Sequence, residues 1–130
     1  MNLLLDTHVF LWYIAADPRL PTAWTEQIRS PVSRVYVSVV SIWESIIKHQ
    51  LGKLVLPEPP EIYLPRQRER HRFESLVVDE ASVSQVASLP AHHKDPFDRL
   101  LIGQGLAHEL TLVTIDAAMA SYTVKRLPRA

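Results

Sequence analysis

Asp6, Glu44, Asp98 and Asp116 are the residues of this 130-residue chain whose types and placement suggest chemistry. Each has an innocent explanation. Asp6 and Asp116 follow short apolar runs where helices begin, and aspartate is among the best N-caps. Asp98 stands in the first turn of a helix, where the macrodipole favours negative charge. Glu44 lies inside an apolar helix, where a glutamate usually faces solvent. Taken together they suggest something more. Carboxylates gathered in one place raise each other's pKa unless a cation neutralises them. A hard divalent ion, Mg2+ with Mn2+ as the alternative, takes oxygen ligands and keeps open water positions. Such an ion suits phosphodiester hydrolysis without a side-chain nucleophile. That agrees with the absence of a GxSxG elbow and of a P-loop. With no cysteine and no paired histidine motif, a zinc site is disfavoured.

The elements that must position these acids follow from patterning. Residues 2–5 are a short apolar run that stops at Asp6, as in a buried parallel strand. Helices are expected over 7–15 and 21–29, and an alternating β-branched strand over 34–39. A helix over 40–51 carries Ile42, Trp43, Ile46, Ile47 and Leu51 on its apolar face, and Gly52 closes it. The segment 58–73, entered through prolines and carrying Arg66, Arg68, Arg70 and Arg72, reads as an exposed or broken helix. There follow a strand at 75–78, a helix at 80–88, a loop from Pro90 to Pro96 and a helix at 96–108 capped by Asp95 with Pro96 at N1. A strand at 110–115, a short helix from 117 and a last strand near 122–127 complete the chain. Strands alternating with helices give an α/β fold, a single-domain three-layer α/β/α sandwich over residues 1–130 with a mostly parallel sheet. In such sheets the functional crevice lies beyond the carboxyl ends of the strands. Asp6 and Asp116 stand there, and Glu44 and Asp98 follow close by.

Composition narrows the partners. Acidic and basic residues balance at 14 each, which argues against a long electrostatic track along nucleic acid and for a compact substrate contact. The opening residues lack the basic n-region and cleavage site of a signal peptide. No apolar run approaches the roughly 20 residues that span a bilayer. A cytoplasmic location without membrane attachment is the expectation.

The motifs resemble a known family. Leu3-Leu-Leu-Asp6-Thr7-His8 opens the chain, and Ser38-Val-Val-Ser-Ile-Trp-Glu44 continues into Lys48-His-Gln-Leu-Gly-Lys-Leu. His93-Lys-Asp-Pro-Phe-Asp98-Arg-Leu-Leu-Ile and Leu112-Val-Thr-Ile-Asp116 follow in order. Together they resemble PIN-domain proteins of the VapC type, the toxin half of a bacterial toxin–antitoxin pair. Only residues 55–75 contribute little. The resemblance implies a Rossmann-like sandwich and a metal-dependent endoribonuclease whose acid quartet falls on Asp6, Glu44, Asp98 and Asp116. The fourth position varies between Asp and Asn in that family. It also implies a homodimer, a small cognate antitoxin that occludes the site, and structured RNA substrates, often tRNA. Gly103 and Gly105 depart from the alanines common after the third acid; each weakens a helix by up to about 1 kcal/mol but permits closer packing.

Other residues have two readings. Thr7 and Thr114, beside the acids, are either orienting groups or ordinary turn residues. Arg99 is either a phosphate clamp or the partner of a nearby acid. Asp95 is a cap first and a site residue second. The arginines at 66–72 are either RNA contacts or a solvated helix face. Trp12, Tyr13 and Trp43 are either base-stacking platforms or core, and His92, His93 and Lys94 form a polar loop. Three rival functions remain at this point. Another metal-dependent phosphoesterase would need the Asp-x-Asp pair that His8 interrupts. A receiver-like signalling domain would need an aspartate where Ser38 stands. A non-catalytic RNA- or antitoxin-binding domain would need no site at all.

Overall fold

The computed structural model describes residues 1–91 and 95–128, so the loop residues His92, His93 and Lys94 lie outside the described residues. Strand β1 (Asn2–Leu5) is central, and its Leu3, Leu4 and Leu5 are completely buried. β2 (Arg34–Ser38), β3 (Glu74–Leu76) and β4 (Thr111–Val113) join it in the order β3-β2-β1-β4, every pairing parallel. A strand covered on both faces has no solvent side, which is why β1 reads as an unbroken leucine run.

Side chains alternate across the sheet and split the core in two. Leu3, Leu5, Val35, Val37 and Val113 face Val9 and Phe10 of α1 (Thr7–Ile14), Trp24 and Ile28 of α2 (Thr22–Arg29) and Leu64 of α4 (Pro60–Arg70). Leu4 and Leu112 face Val40 of α3 (Val39–Gln50), Leu101 and Ile102 of α6 (Pro96–Ala107), and Met119, Tyr122 and Val124. The result is the expected three-layer α/β fold. Removing one of these fully buried leucines would cost about 2–5 kcal/mol.

Three expectations needed adjustment. The last strand near 122–127 reduces to one parallel bridge, Leu112 with Arg126; Leu112 N–H donates to the Lys125 carbonyl at 2.7 Å, and the Leu112 carbonyl accepts the Leu127 N–H at 2.9 Å. β4 stops at Val113 rather than 115 because the Thr114 hydroxyl takes the Asp116 N–H at 3.1 Å, a local turn that withdraws the backbone from the ladder. The arginine-rich α4 is not wholly exposed, since Pro60 and Leu64 are buried and Arg66 is paired with Glu58 at 2.6 Å.

α5 (Glu80–Ala87) packs along α6, and Gly103 makes the approach possible. A Cβ there would lie 2.5 Å from the Ser82 carbonyl oxygen and 3.1 Å from Val86 Cγ2. The nearer obstacle is backbone, which yields only if the helices part. Gly103→Ala should therefore destabilise the protein by about 1–3 kcal/mol, despite the better helix propensity of alanine, as read from urea denaturation midpoints. A neutral or stabilising effect would mean that α5 is not held at this distance.

Candidate active site

The sheet topology decides where a site forms. From β1 the chain builds outward through β2 and β3, then returns to place β4 on the other side of β1. Such a reversal opens a crevice beyond the carboxyl ends of the central strands. The register aligns Leu5 with Val37 and with Val113, so Asp6, Ser38 and Thr114 are the next residues on three adjacent strands. Asp6 N–H donates to the Val113 carbonyl at 3.0 Å and ties the two central strands together at that edge.

Asp6 caps α1, accepting the Val9 N–H on Oδ1 at 2.8 Å. It is also buried. Removal from water pushes its carboxyl pKa up, against the opposing pull of hydrogen bonds from Thr114 and Val9 and of nearby His8; Glu44 adds a further upward push. Thr114 is itself buried and accepts the Asp116 N–H, so one hydroxyl braces two of the acids. Asp116 in turn caps the 3₁₀ turn Ala117–Ser121, accepting Ala118 N–H at 2.9 Å.

Glu44 does not face solvent. It is buried, and both carboxylate oxygens have partners: Thr7 Oγ1 lies 2.7 Å from Oε1, and Lys48 Nζ lies 2.9 Å from Oε2. Ser41, one turn earlier on α3, places its hydroxyl 2.9 Å from Thr7 Oγ1. Thr7 thus receives a second bond while it holds Glu44. Asp95 caps α6 by accepting Phe97 N–H at 2.9 Å, which sets the first turn that carries Asp98.

These residues share one cleft of about 330 Å³. Asp6, Glu44, Asp95, Asp98 and Asp116 line it together with Thr7, and His8, Lys48 and Lys53 add basic groups. The acids come from the ends of β1 and β4 and from α3 and α6, elements far apart in sequence. Among the described residues, no three of the His, Asp and Glu side chains stand close enough to hold a metal ion as they are. The donor set nonetheless fits a hard divalent cation. It is entirely carboxylate oxygen, and the hydrogen bonds of Asp6 with Val9 and Thr114 and the pull of His8 do not outweigh the cost of its burial.

Some sequence candidates lie elsewhere. The Arg99 guanidinium donates to the carbonyls of Pro90 at 2.9 Å and Val86 at 3.2 Å, so it tethers the end of α5. Trp12 packs under Arg19, whose guanidinium carbon sits 4.5 Å from the ring centroid. Trp43 is 54% exposed and meets Phe97 edge-on, with centroids 4.8 Å apart. The sequence reading gave no role to Ser41 or Lys48. The signal was present: they stand three residues before and four after Glu44, on its helical face.

The PIN-domain family model matches residues 3–125, and the chain belongs to the PIN-domain family. It is 28% identical over 123 residues to ribonuclease VapC22 of Mycobacterium tuberculosis, covering 93% of this chain and 92% of that protein. Its fold is similar to that seen in VapBC2 from Rickettsia felis bound to a DNA fragment from its promoter (TM-score 0.73, 16% identity, 98% of each chain). It is also similar to DNA-bound VapBC from Salmonella typhimurium (TM-score 0.69, 18% identity, 98% of this chain and 97% of that one).

Raised folded-state pKa means that the native protein binds more protons at Asp6 than the unfolded chain between the ordinary value near 3.8 and the folded one. In that window stability falls as pH rises, and above it the cost of the buried charge is carried in full. Asp6→Asn keeps a good cap and removes the charge. Metal-free Asp6→Asn should therefore melt no lower than wild type at pH 7, and the difference should shrink as pH drops toward 4. A clear loss of stability at pH 7 would mean that the carboxylate is held mainly by its caps.

Proposed function

We propose that this chain is a metal-dependent endoribonuclease, the toxin of a toxin–antitoxin pair, hydrolysing RNA phosphodiester bonds with a carboxylate-held Mg2+, Mn2+ being the alternative ion. One observation carries the reading. The buried Asp6 and Glu44 and the half-buried Asp98 and Asp116 line a single cleft at the switch point of a PIN-family sheet.

Asp6, Glu44 and Asp98 are the residues to hold the ion, with Asp116 as the fourth. When bound, a divalent ion supplies an activated water and stabilises negative charge on phosphate oxygens. Around it the protein's own groups have fixed tasks. Thr7, backed by Ser41, orients Glu44. Thr114 braces Asp6 and the turn that carries Asp116. Asp95 sets the start of α6 and hence the place of Asp98. The hydroxyls beside these acids are committed, Thr7 to Glu44 and Thr114 to Asp6, so a side-chain nucleophile is not the expected attacking group. Lys53 gives the cleft positive charge for phosphate oxygens and His8 adds a ring donor, which positions a substrate without reading its bases.

The similarity to a ribonuclease named VapC22 and to VapBC assemblies supports RNA as substrate and a cognate antitoxin as partner, and tRNA is the substrate class we propose. A homodimer acting in the cytoplasm completes the proposal. Among the described residues no helix is long and apolar enough to cross a membrane.

The test is cleavage of total bacterial RNA by purified protein, with Mg2+ or with EDTA, comparing wild type and Asp98→Asn. Discrete products should appear only with the metal and fall by at least about 100-fold in the variant, the scale of losing one group that stabilises transition-state charge. Intact RNA with Mg2+, together with tight antitoxin binding, would instead mark a PIN domain that binds without cutting.

A further inference from the structure

Glu44 already has a cation. Lys48 follows it by one helical turn on α3, with Nζ 2.9 Å from Oε2. Exposed pairs of this spacing are common and worth only a few tenths of a kcal/mol. This one differs in its acid, whose side chain is only 8% exposed inside the cleft and whose other oxygen is taken by Thr7 at 2.7 Å. The backbone around Lys48 is fixed as well. Gly52, at φ 73°, terminates α3, and Lys53 N–H returns to the Lys48 carbonyl at 2.8 Å while Gly52 N–H reaches the His49 carbonyl at 3.1 Å. That pair of hydrogen bonds is a Schellman closure, which holds the last turn helical and keeps Lys48 on the face of Glu44.

We propose that Lys48 is a positioning residue that acts as an internal counter-ion. It occupies Glu44 in the ion-free protein and competes with the divalent cation for that carboxylate, setting how tightly the cleft takes the ion. The inference rests on the reading of the cleft as a cation site. Two positive groups on one buried carboxylate repel each other, so an arriving ion must move the ammonium off Oε2 or share the group at reduced affinity. The Lys48 side chain is 43% exposed, which leaves it a path into solvent when it yields.

The experiment is titration with Mn2+ alone, followed by the electron paramagnetic resonance signal of the free ion. It compares wild type, Lys48→Met, Lys48→Arg, Glu44→Gln and the Glu44→Gln/Lys48→Met double variant, with circular dichroism confirming the fold. Lys48→Met should bind Mn2+ about tenfold more tightly, the order expected for removing a unit charge at ion-pair distance. Lys48→Arg should stay near wild type. In the Glu44→Gln background, Lys48→Met should have little effect, because the coupling runs through the Glu44 carboxylate. Should Lys48→Met fail to fold, Lys48→Gln carries the same comparison. Unchanged or weaker binding in the neutral variant overturns the role of Lys48 and leaves the cation site standing. No Mn2+ binding by wild type or any variant overturns the cation site itself, and the role of Lys48 with it.

Discussion

A carboxylate at the end of a fully buried strand is the constraint around which the rest of this structure is arranged. β1 consists of leucines with no exposed surface, and the residue after them is Asp6, almost as deeply buried. Burying an ionised carboxyl is expensive unless hydrogen bonds or an opposite charge compensate it. The fold provides the Val9 N–H, the Thr114 hydroxyl and the positive end of α1, and the pKa is still displaced upward. A neutral Asn here would keep the cap without the buried charge. The position makes physical sense as a half-finished electrostatic site, to which a cation would supply the missing charge.

The same economy of parts recurs around the cleft. Asp6, Asp95 and Asp116 all cap the elements they introduce, each accepting a backbone N–H within its first turn. Capping and ligation need the same thing, a carboxylate fixed at the entrance to a helix. One oxygen can satisfy the backbone while the group remains at the sheet edge. Structural and functional explanations of these aspartates are therefore compatible. Neither the identity of a cap nor its hydrogen bond decides between them. Glu44 is the informative acid, because no backbone donor requires a buried glutamate in the second turn of an apolar helix. Its partners are Thr7, from another element, and Lys48 on its own helix.

What was legible in the sequence follows from how local each signal was. The leucine run of β1, the β-branched alternation of β2, and the Asp95-Pro96 and Gly52 boundaries are properties of a few adjacent residues, and the structure places all of them as read. The four acids could be picked out as candidates because Asp6 directly follows one strand and Asp116 comes shortly after another, and a parallel sheet sends strand ends to one edge. The tail was misread, since residues 122–127 carry strand-like side chains but only Arg126 pairs with β4, itself cut short by the Thr114 turn. Arg99, left open between a phosphate clamp and the partner of an acid, bonds carbonyls of α5 and the loop beyond, contacts that its place beside Asp98 in sequence does not announce. The contacts of Thr7 with Ser41 and Glu44 join residues more than 30 positions apart, and no local pattern announces them.

The even charge balance of the whole chain has a local counterpart in the cleft. Acids on the sheet edge face His8, Lys48 and Lys53 across a volume of about 330 Å³, and the nearest of these bases is already paired with an acid. A cleft that carried only acids would hold a divalent ion tightly but repel a polyanionic substrate. One that carried only bases would attract RNA but have nowhere to place the ion. On the proposed function, interleaving the two signs would let the same pocket accept a cation and a phosphate, each lowering the cost of bringing in the other. The charge that matters to a phosphodiester is concentrated where the backbone register of β1, β2 and β4 brings their ends together.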